Sequence, residues 1–228
     1  MWKLDDDMRE TNQYARQLSG AEIEAGLHRD FIGGMWEEIG KLQFDFLRQQ
    51  GLLPEHKLLD IGCGALRGGV HFVAYLDPGN YYGLDLNSSL LEAGRRELAL
   101  AGLTHKNPHL AVSDSFALQK FGQTFDYLLA VSVFTHVFTN DILSCLRAAR
   151  EVLAVDGRFF ASFFCAPHSV HLAPIIHEPG SVKTEYGRDP FHYSTDEMRM
   201  LAEDAGLSVR VIGQWNHPRA QQILVFSR

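Results

Sequence analysis

The chain has 228 residues, of which 46% are hydrophobic and 11% aromatic, so a disordered or collagen-like protein is excluded. Its 21 basic and 28 acidic residues give a formal net charge of −7, which disfavours nucleic acid or an anionic membrane as a partner. The segment 1–10 lacks a signal-peptide pattern, and the sequence lacks an apolar run of the ~20 residues that span a bilayer. We expect a cytoplasmic protein, monomeric or homodimeric, that acts on a small-molecule substrate.

Residues 1–50 are predicted to form an N-terminal helical cap. Apolar residues recur at helical spacing over 35–46, after a polar stretch over 9–29 that contains arginines. We expect one or two helices of this segment to lie over the ligand-binding edge of a sheet.

From residue 57 onward, short apolar runs alternate with segments of helical periodicity, which is typical of βαβ units. Two Ser-x-x-Glu patterns, at 89–92 and 194–197, have capping-box spacing and predict helix starts. Apolar residues at intervals of three and four predict another helix after Asn140, closed by the Asp-Gly pair at 156–157. Seven segments are predicted as strands: 57–62, 81–85, 109–114, 125–133, 158–164, 207–213 and 221–228.

The segment 166–193 is rich in proline and histidine and interrupts the alternating pattern, so we predict a second, non-sheet cap insertion there. Its histidine spacings match no zinc signature. The three cysteines, Cys63, Cys145 and Cys165, are an odd number without CxxC spacing, which suits a reducing compartment. No metal site is predicted.

Gly62 and Gly64 follow the first predicted strand and precede a helix, which lets the backbone turn tightly against a ligand. Asp85, at the end of the second strand, is placed to accept hydrogen bonds from both ribose hydroxyls of an adenosine. Dinucleotide enzymes share these features, but here Asp60 would face a phosphate and Arg67 replaces their third glycine. A carboxylate at Asp60 instead suits a cofactor that carries an amino group and a sulfonium, which points to S-adenosylmethionine.

Residues 57–228 resemble a class I S-adenosylmethionine-dependent methyltransferase of the small-molecule type. LDIGCG at 59–64 is similar to that family's first motif, GLD at 83–85 to its ribose-binding acid and VSD at 112–114 to its adenine-contacting acid. The resemblance implies an α/β fold with a Rossmann-like, seven-stranded, mostly parallel sheet, an antiparallel C-terminal hairpin, helices on both faces and an N-terminal helical cap. The predicted cofactor-binding domain covers 51–228.

The predicted cofactor site combines the motif residues with their neighbours at the strand ends. Asp114 is expected at the adenine amino group, or else as a turn cap, with Phe116 or Leu86 against the ring. Cys63 is expected to fill a small gap rather than to react. Arg67 is predicted either to bind a carboxylate, of the cofactor or of an acceptor, or to be solvated. The full predicted set is Asp60, Gly62, Cys63, Gly64, Arg67, Asp85, Leu86, Asp114, Ser115, Phe116, Val131 and Ser132.

Four residues are candidates for the chemistry of methyl transfer. Three of them have two possible roles each, and the fourth has one. His136, past the fourth strand, is either a general base for a hydroxyl or protonated amine, or a hydrogen-bonding loop residue. Phe134 either faces the sulfonium or belongs to the core. Asn140 either caps a helix or contacts the methionine amino group. Tyr186 is expected in the wall of an acceptor pocket.

The sequence favours methyl transfer from S-adenosylmethionine to an O or N atom of a small metabolite. No Asp/Asn-Pro-Pro-Tyr/Phe pattern follows the fourth strand and no Pro-Cys nucleophile is present, which disfavours a nucleic-acid base as acceptor. Aromatic residues near 134–138 and 186–191, with few bases, leave open an intramolecular cyclase of the azetidine-2-carboxylate synthase type that releases methylthioadenosine. A non-catalytic S-adenosylmethionine-binding subunit and a nicotinamide oxidoreductase are the remaining hypotheses.

Overall fold

A computed structural model describes residues 13–228 of the chain. Residues 1–12, which include the first part of the predicted cap and of the polar stretch, lie outside the described residues. The strands are β1 (Leu58–Ile61), β2 (Tyr81–Asp85), β3 (His109–Val112), β4 (Phe125–Ala130), β5 (Leu153–Cys165), β6 (Ile175–His177), β7 (Val182–Thr184), β8 (His192–Tyr193), β9 (Ser208–Gln214) and β10 (Gln222–Ser227). The helices are α1 (Gly20–Glu24), α2 (His28–Phe31), α3 (Trp36–Gln49), α4 (Gly69–Tyr75), α5 (Ser88–Leu100), α6 (Thr139–Val152) and α7 (Thr195–Asp204).

The main sheet has the strand order β3-β2-β1-β4-β5-β10-β9, and the short β8 pairs with the end of β5. Strands β1 to β5 pair in parallel, whereas β10 is antiparallel to both β5 and β9. The predicted mostly parallel, Rossmann-like sheet with an antiparallel C-terminal hairpin is therefore confirmed. Because the strand order reverses between β1 and β4, their carboxyl ends flank the crevice where ligands bind in such folds.

Successive residues of each strand point to opposite faces of the sheet, and both faces are covered. Leu59 and Leu128 face a core cluster to which α6 and α7 contribute. Their neighbours Leu58 and Leu129 face a second cluster with residues of α3, α4 and α5. All four leucines are fully buried, so the predicted helices on both faces are confirmed. Within residues 13–228, no helix combines the length and apolar character needed to cross a membrane.

The predicted capping box at 89–92 is wrong, whereas the one at 194–197 is confirmed. Asn87 is the N-cap of α5, and its side-chain oxygen accepts hydrogen bonds from the amides of Ser89 and Leu90. Ser89 therefore lies inside the helix. At α7 the Ser194 hydroxyl accepts from the amide three residues later, and the Glu197 carboxylate accepts from the Ser194 amide.

The predicted helix end at 156–157 is also wrong. Helix α6 ends at Val152 and β5 begins at Leu153, so the Asp-Gly pair lies within a strand. A Cβ on Gly157 would lie 2.9 Å from the carbonyl oxygen of Phe125, close to the register shift between β4 and β5. The glycine permits this close approach and does not stop a helix.

The insertion 166–193 contains strands, contrary to the prediction. Strands β6 and β7 form a separate antiparallel hairpin, and β8 joins the main sheet. Their inward side chains are polar: Nε2 of His177 lies 2.8 Å from Oγ1 of Thr184, which lies 2.6 Å from Nδ1 of His192. A strand is recognised in a sequence when apolar and polar residues alternate. These strands lack that pattern, because their buried side chains are polar and hydrogen-bond to one another.

A largely buried ionic cluster fastens the N-terminal helices to α5. Glu97 accepts two hydrogen bonds from the Arg29 guanidinium, at 2.9 and 2.7 Å, and contacts Nε2 of His28 at 2.7 Å. Burial acts to raise the pKa of Glu97, but the hydrogen bonds from Arg29 and His28 outweigh it and lower the pKa. Arg29 also stacks on Trp36. The cluster holds α2 and the start of α3 beside α5.

Candidate active site

A cavity of about 350 Å³ lies where the carboxyl ends of the parallel strands meet, a size that suits a small ligand. Its wall comes from the loops after β1, β2, β3 and β4. Tyr14, Ile32 and Gln43 of the N-terminal segment complete it. The predicted cofactor residues that lie in the wall are Asp60, Gly62, Cys63, Gly64, Arg67, Asp85, Leu86, Asp114, Phe116, Val131 and Ser132.

The glycine loop after β1 is pressed against the loop after β4. Gly62 and Gly64 have φ values of +69° and +53°, a region that L side chains rarely adopt. A Cβ on Gly62 would lie 2.5 Å from Cγ2 of Val133. The amides of Gly62 and Cys63 donate to the Leu84 carbonyl at 2.7 and 3.1 Å. The loop therefore joins the ends of β1, β2 and β4 in the wall of the cavity.

Replacing Gly62 with alanine is expected to lower the free energy of unfolding by about 2–4 kcal/mol, because left-handed backbone strain adds to the collision with Val133. Gly122→Ala is the matched control: its φ is +60°, but no atom lies within 4 Å of the new Cβ. It should lose only the backbone contribution of about 1–2 kcal/mol. Denaturant unfolding measures both variants, and equal losses would contradict the close approach.

Asp85 links the glycine loop to α5. One carboxylate oxygen accepts from the Gly64 amide at 2.8 Å, and the other accepts from the Asn87 amide at 2.9 Å. Burial raises the pKa of Asp85, although these amide hydrogen bonds oppose the shift. Each carboxylate oxygen can accept a further hydrogen bond, so Asp85 can also receive the hydroxyls of a ribose in the cavity.

Asp60 is a buried carboxyl group in the cavity wall. The Tyr81 hydroxyl donates a hydrogen bond to it at 2.8 Å. Burial raises the pKa of Asp60 to about 7; the Tyr81 hydrogen bond opposes this shift, and the Asp85 charge adds to it. A nearby cation would favour the ionised form, so the site fits an ammonium group.

Residues 14–18 cross the start of α5 and bring Tyr14 to the cavity. The side-chain amide of Asn87 donates to the carbonyls of Tyr14 and Arg16, both at 2.7 Å. The Asn87 side chain is fully buried. A residue that caps α5 therefore also holds the N-terminal segment at the edge of the site.

His136 lies in the cavity wall, in the loop after β4. Its Nδ1 lies 2.5 Å from a carboxylate oxygen of Asp189, in the insertion between β5 and α7. Because a carboxylate can only accept a hydrogen bond, the neutral ring keeps its proton on Nδ1 and carries its lone pair on Nε2. Tyr14 packs edge-on against the ring, with centroids 4.8 Å apart. The Phe191 amide donates to the Thr135 carbonyl at 2.8 Å and ties the insertion to this loop.

Phe134 and Tyr186 both lie outside the cavity wall, and of the two roles predicted for Phe134 the structure shows the core role. Phe134 is fully buried in the core, 6.2 Å from the ring of Phe159 and 6.5 Å from that of Phe226, so it does not face a sulfonium in the cavity. Tyr186 is 38% exposed and packs edge-on against His171 of the insertion, outside the cavity wall.

Asn140 and Ser115 also lie outside the cavity wall. Asn140 is exposed in the first turn of α6, and the N-cap is Phe138, so both predicted roles of Asn140 are wrong. Ser115 is exposed, and its amide donates to the hydroxyl of Ser113 at 3.4 Å. In this turn Ser113 reaches the wall in place of Ser115.

Arg67 is buried, so the prediction that it is solvated is wrong. Nη1 donates to the carbonyl of Gly34 at 2.9 Å and lies 3.4 Å from that of Ile32. Burial lowers the pKa of Arg67 to about 10, and the charge of Arg219 adds to the shift. The side chain remains cationic near neutral pH.

Several residues of the site were missed by the sequence patterns. Ser113 and Asp141 line the cavity beside predicted residues, so their positions next to a strand end and a helix start were usable signals. Gln43 also left a signal, since it is a polar residue within the buried face of α3. Tyr14 and Asp189 left none, because tertiary contacts alone bring them to the site.

Comparison with known proteins finds that part of the chain is similar to methyltransferases. A model of a methyltransferase domain matches residues 59–159. A ubiquinone biosynthesis O-methyltransferase of Aromatoleum aromaticum is 29% identical over 126 residues, which cover 55% of this chain and 51% of that protein. The chain spans about half the length of this relative and of another from Histophilus somni.

Solved structures share the fold. The CcbJ methyltransferase of Streptomyces caelestis matches with a TM-score of 0.70 at 15% identity, covering 96% of this chain and 98% of that one. Magnesium protoporphyrin IX methyltransferase of Synechocystis, with bound SAH, matches with a TM-score of 0.60 at 19% identity, covering 84% of each chain. At these low sequence identities, the similarity to the solved structures shows a shared fold alone. Through a methyltransferase domain matched over residues 59–159, the chain is similar to S-adenosylmethionine-dependent methyltransferases, whose fold it shares.

Proposed function

We propose that the protein transfers the methyl group of S-adenosylmethionine to a hydroxyl oxygen of a small molecule. The observation that carries this proposal is His136, which lies in the cavity wall and is held by Asp189. A hydroxyl loses its proton when it accepts a methyl group, so such an acceptor benefits from a positioned base. The matched domain and two relatives named as O-methyltransferases support the same class of reaction.

The residues of the wall fit the parts of the cofactor. Asp60 offers a carboxylate to the methionine ammonium, and Asp85 offers one to the ribose hydroxyls. Asp114 and Phe116 suit the adenine, through hydrogen bonding and ring packing. When bound, S-adenosylmethionine supplies an electrophilic methyl group on a sulfonium.

The chain itself contributes orientation and proton removal. Asp189 accepts a hydrogen bond from Nδ1–H of His136, which leaves Nε2 to take the proton of the acceptor hydroxyl. The same carboxylate stabilises the positive charge that then develops on the imidazole. Tyr14 and the insertion border the base on two sides, so both are placed to exclude water. The cap role predicted for 1–50 and 166–193 is part of this proposal.

The cyclase hypothesis was motivated by an aromatic-rich wall with few bases. Phe138 lines the cavity, but Phe134, Tyr186 and Phe191 do not. His136 is a candidate base in the same wall. Within the described part of the chain, the arrangement therefore favours transfer to an external acceptor. The methyltransferase domain match likewise favours an enzyme of this class over a nicotinamide oxidoreductase or a non-catalytic subunit.

Turnover with matched acceptors tests the proposal. Each set shares one aromatic scaffold and carries a hydroxyl, an amine or a methoxy group at the same position. Release of S-adenosylhomocysteine (SAH) is expected with the hydroxyl members and not with the methoxy members. Turnover of the amines alone would contradict oxygen as the target. SAH binding without turnover in any set would contradict the proposed function.

A further inference from the structure

Arg67, Arg219 and His217 form a cluster beside the cavity. Arg67 lies in the cavity wall and is only 8% exposed. Its guanidinium donates to the carbonyl of Gly34, and that of Arg219 donates to the carbonyl of Gly33. Arg219 and His217 belong to the turn between β9 and β10. Two distant parts of the chain thus place their cations against one backbone segment.

Neither guanidinium is in direct contact with a carboxylate of residues 13–228, although the charge of Asp60 acts on Arg67 from further away. None of the ion pairs within residues 13–228 involves Arg67 or Arg219. Backbone carbonyls satisfy hydrogen bonds but carry no net charge to neutralise the arginines. A buried cation without a partner is destabilising. The cluster therefore favours an anion.

Two buried nitrogen atoms of the cluster have no hydrogen-bond partner within residues 13–228: Nε of Arg67 and Nε2 of His217. Nδ1 of His217 accepts from the Arg219 amide at 3.2 Å, so the neutral ring carries its proton on Nε2. Burial, together with the charges of Arg67 and Arg219, lowers the pKa of His217 to about 3 and keeps the ring neutral. Both atoms are therefore unused donors.

The unused donor of Arg67 lies on the side of the guanidinium that suits a carboxylate. Nη1 is engaged by the carbonyl of Gly34, whereas Nε is free. The edge formed by Nε and Nη2 binds a carboxylate through two parallel hydrogen bonds. A doubly charged phosphate fits less well, because Asp60, Asp85 and Asp114 lie in the same wall.

We infer that Arg67, supported by Arg219 behind it, binds a carboxylate group in the cavity. This inference rests on the proposed function, because the carboxylate belongs either to the acceptor or to the amino-acid end of the cofactor. His217 lies near both arginines and stays neutral, so it adds no charge to the site.

Calorimetry on the whole chain tests the inference with two ligand pairs that differ only in the carboxylate. The first pair is SAH and its decarboxylated analogue, S-adenosyl-3-thiopropylamine. The second pair, added to protein saturated with SAH, is 4-hydroxybenzoate and 4-hydroxybenzamide. In at least one pair the carboxylate member is expected to bind about tenfold more tightly, and Arg67→Met should abolish this preference. A preference in the first pair means that Arg67 binds the carboxylate of the cofactor. A preference in the second pair means that it binds a carboxylate of the acceptor.

Arg199→Met is the matched control, since it removes an exposed arginine of α7 and should leave the preference unchanged. Arg219→Met should weaken the preference about threefold, and it decides the question if Arg67→Met does not fold. A preference absent from the wild type in both pairs, or unchanged in the arginine variants that fold, would overturn the inference. A wild type that does not bind SAH would overturn the proposed function and the inference with it.

Discussion

Replacing His136 with glutamine is expected to lower kcat for a hydroxyl acceptor about 10²- to 10⁴-fold, the range that a general base contributes. Glutamine keeps a hydrogen-bonding side chain in the cavity wall but cannot take up a proton. The affinity for SAH should therefore change by no more than about twofold. Asp189→Asn should reduce kcat less, because the imidazole remains but loses the carboxylate 2.5 Å from its Nδ1.

Steady-state kinetics over a range of pH, with SAH calorimetry alongside, measure these effects. Because a base must be unprotonated, kcat of the wild type should rise with pH, and this limb should disappear in His136→Gln. His105→Gln is the matched control, since His105 is exposed and contacts the Gly102 carbonyl outside the cavity wall. A His136→Gln variant with wild-type kcat would show that another group removes the proton.

Replacing Asp60 with asparagine is expected to have opposite effects on binding and on stability. Affinity for SAH should fall about 10- to 100-fold, because the charge-assisted hydrogen bond to the ammonium is lost. The unliganded protein should become more stable near pH 8.5, because asparagine carries no buried charge there and still accepts from the Tyr81 hydroxyl.

The pH dependence of the Asp60 effect follows from the direction of its pKa shift. The folded protein holds the proton more tightly, with a pKa of about 7 against 3.8 for the free side chain. The contribution of Asp60 to the free energy of unfolding therefore falls as pH rises between these values. Asp60→Asn should raise Tm by roughly 5 °C at pH 8.5 and have little effect at pH 4.

Thermal melting of the unliganded protein at both pH values, with calorimetry at pH 7.5, measures the two effects of Asp60→Asn. Asp156→Asn removes an exposed carboxylate and should change neither Tm nor affinity. An Asp60→Asn variant that loses stability at pH 8.5 would show that the carboxylate is stabilised in the unliganded protein.

The part of the cavity wall formed by strand ends was largely predictable, because its residues follow directly from the strands. Gly62, Gly64 and Asp85 lie within one β1-α4-β2 unit, and the carboxyl ends of neighbouring parallel strands meet at one edge. The sequence left two positions open for Phe134, because β4 ends at Ala130 and the chain turns beyond it, so the alternation of an extended strand does not continue.

The part of the site around His136 was less predictable, because long-range hydrogen bonds position it. Tyr14 reaches the wall through the Asn87 side chain, and Asp189 reaches His136 from the far end of the insertion. The hairpin within that insertion was missed for a related reason, since Thr184 and its histidine partners bury polar groups. Sequence periodicity indicates which apolar residues are buried. It does not indicate which polar side chains form hydrogen bonds over long distances in the chain.

Mass spectrometry of the adenosine products is the most direct test of the central claim. The protein is incubated with S-adenosylmethionine labelled with deuterium in the methyl group, with and without a hydroxyl acceptor that turns over. We expect SAH and a product labelled on oxygen when the acceptor is present, and no consumption of the cofactor without it. Methylthioadenosine formed without an acceptor would contradict methyl transfer and establish consumption of the cofactor alone.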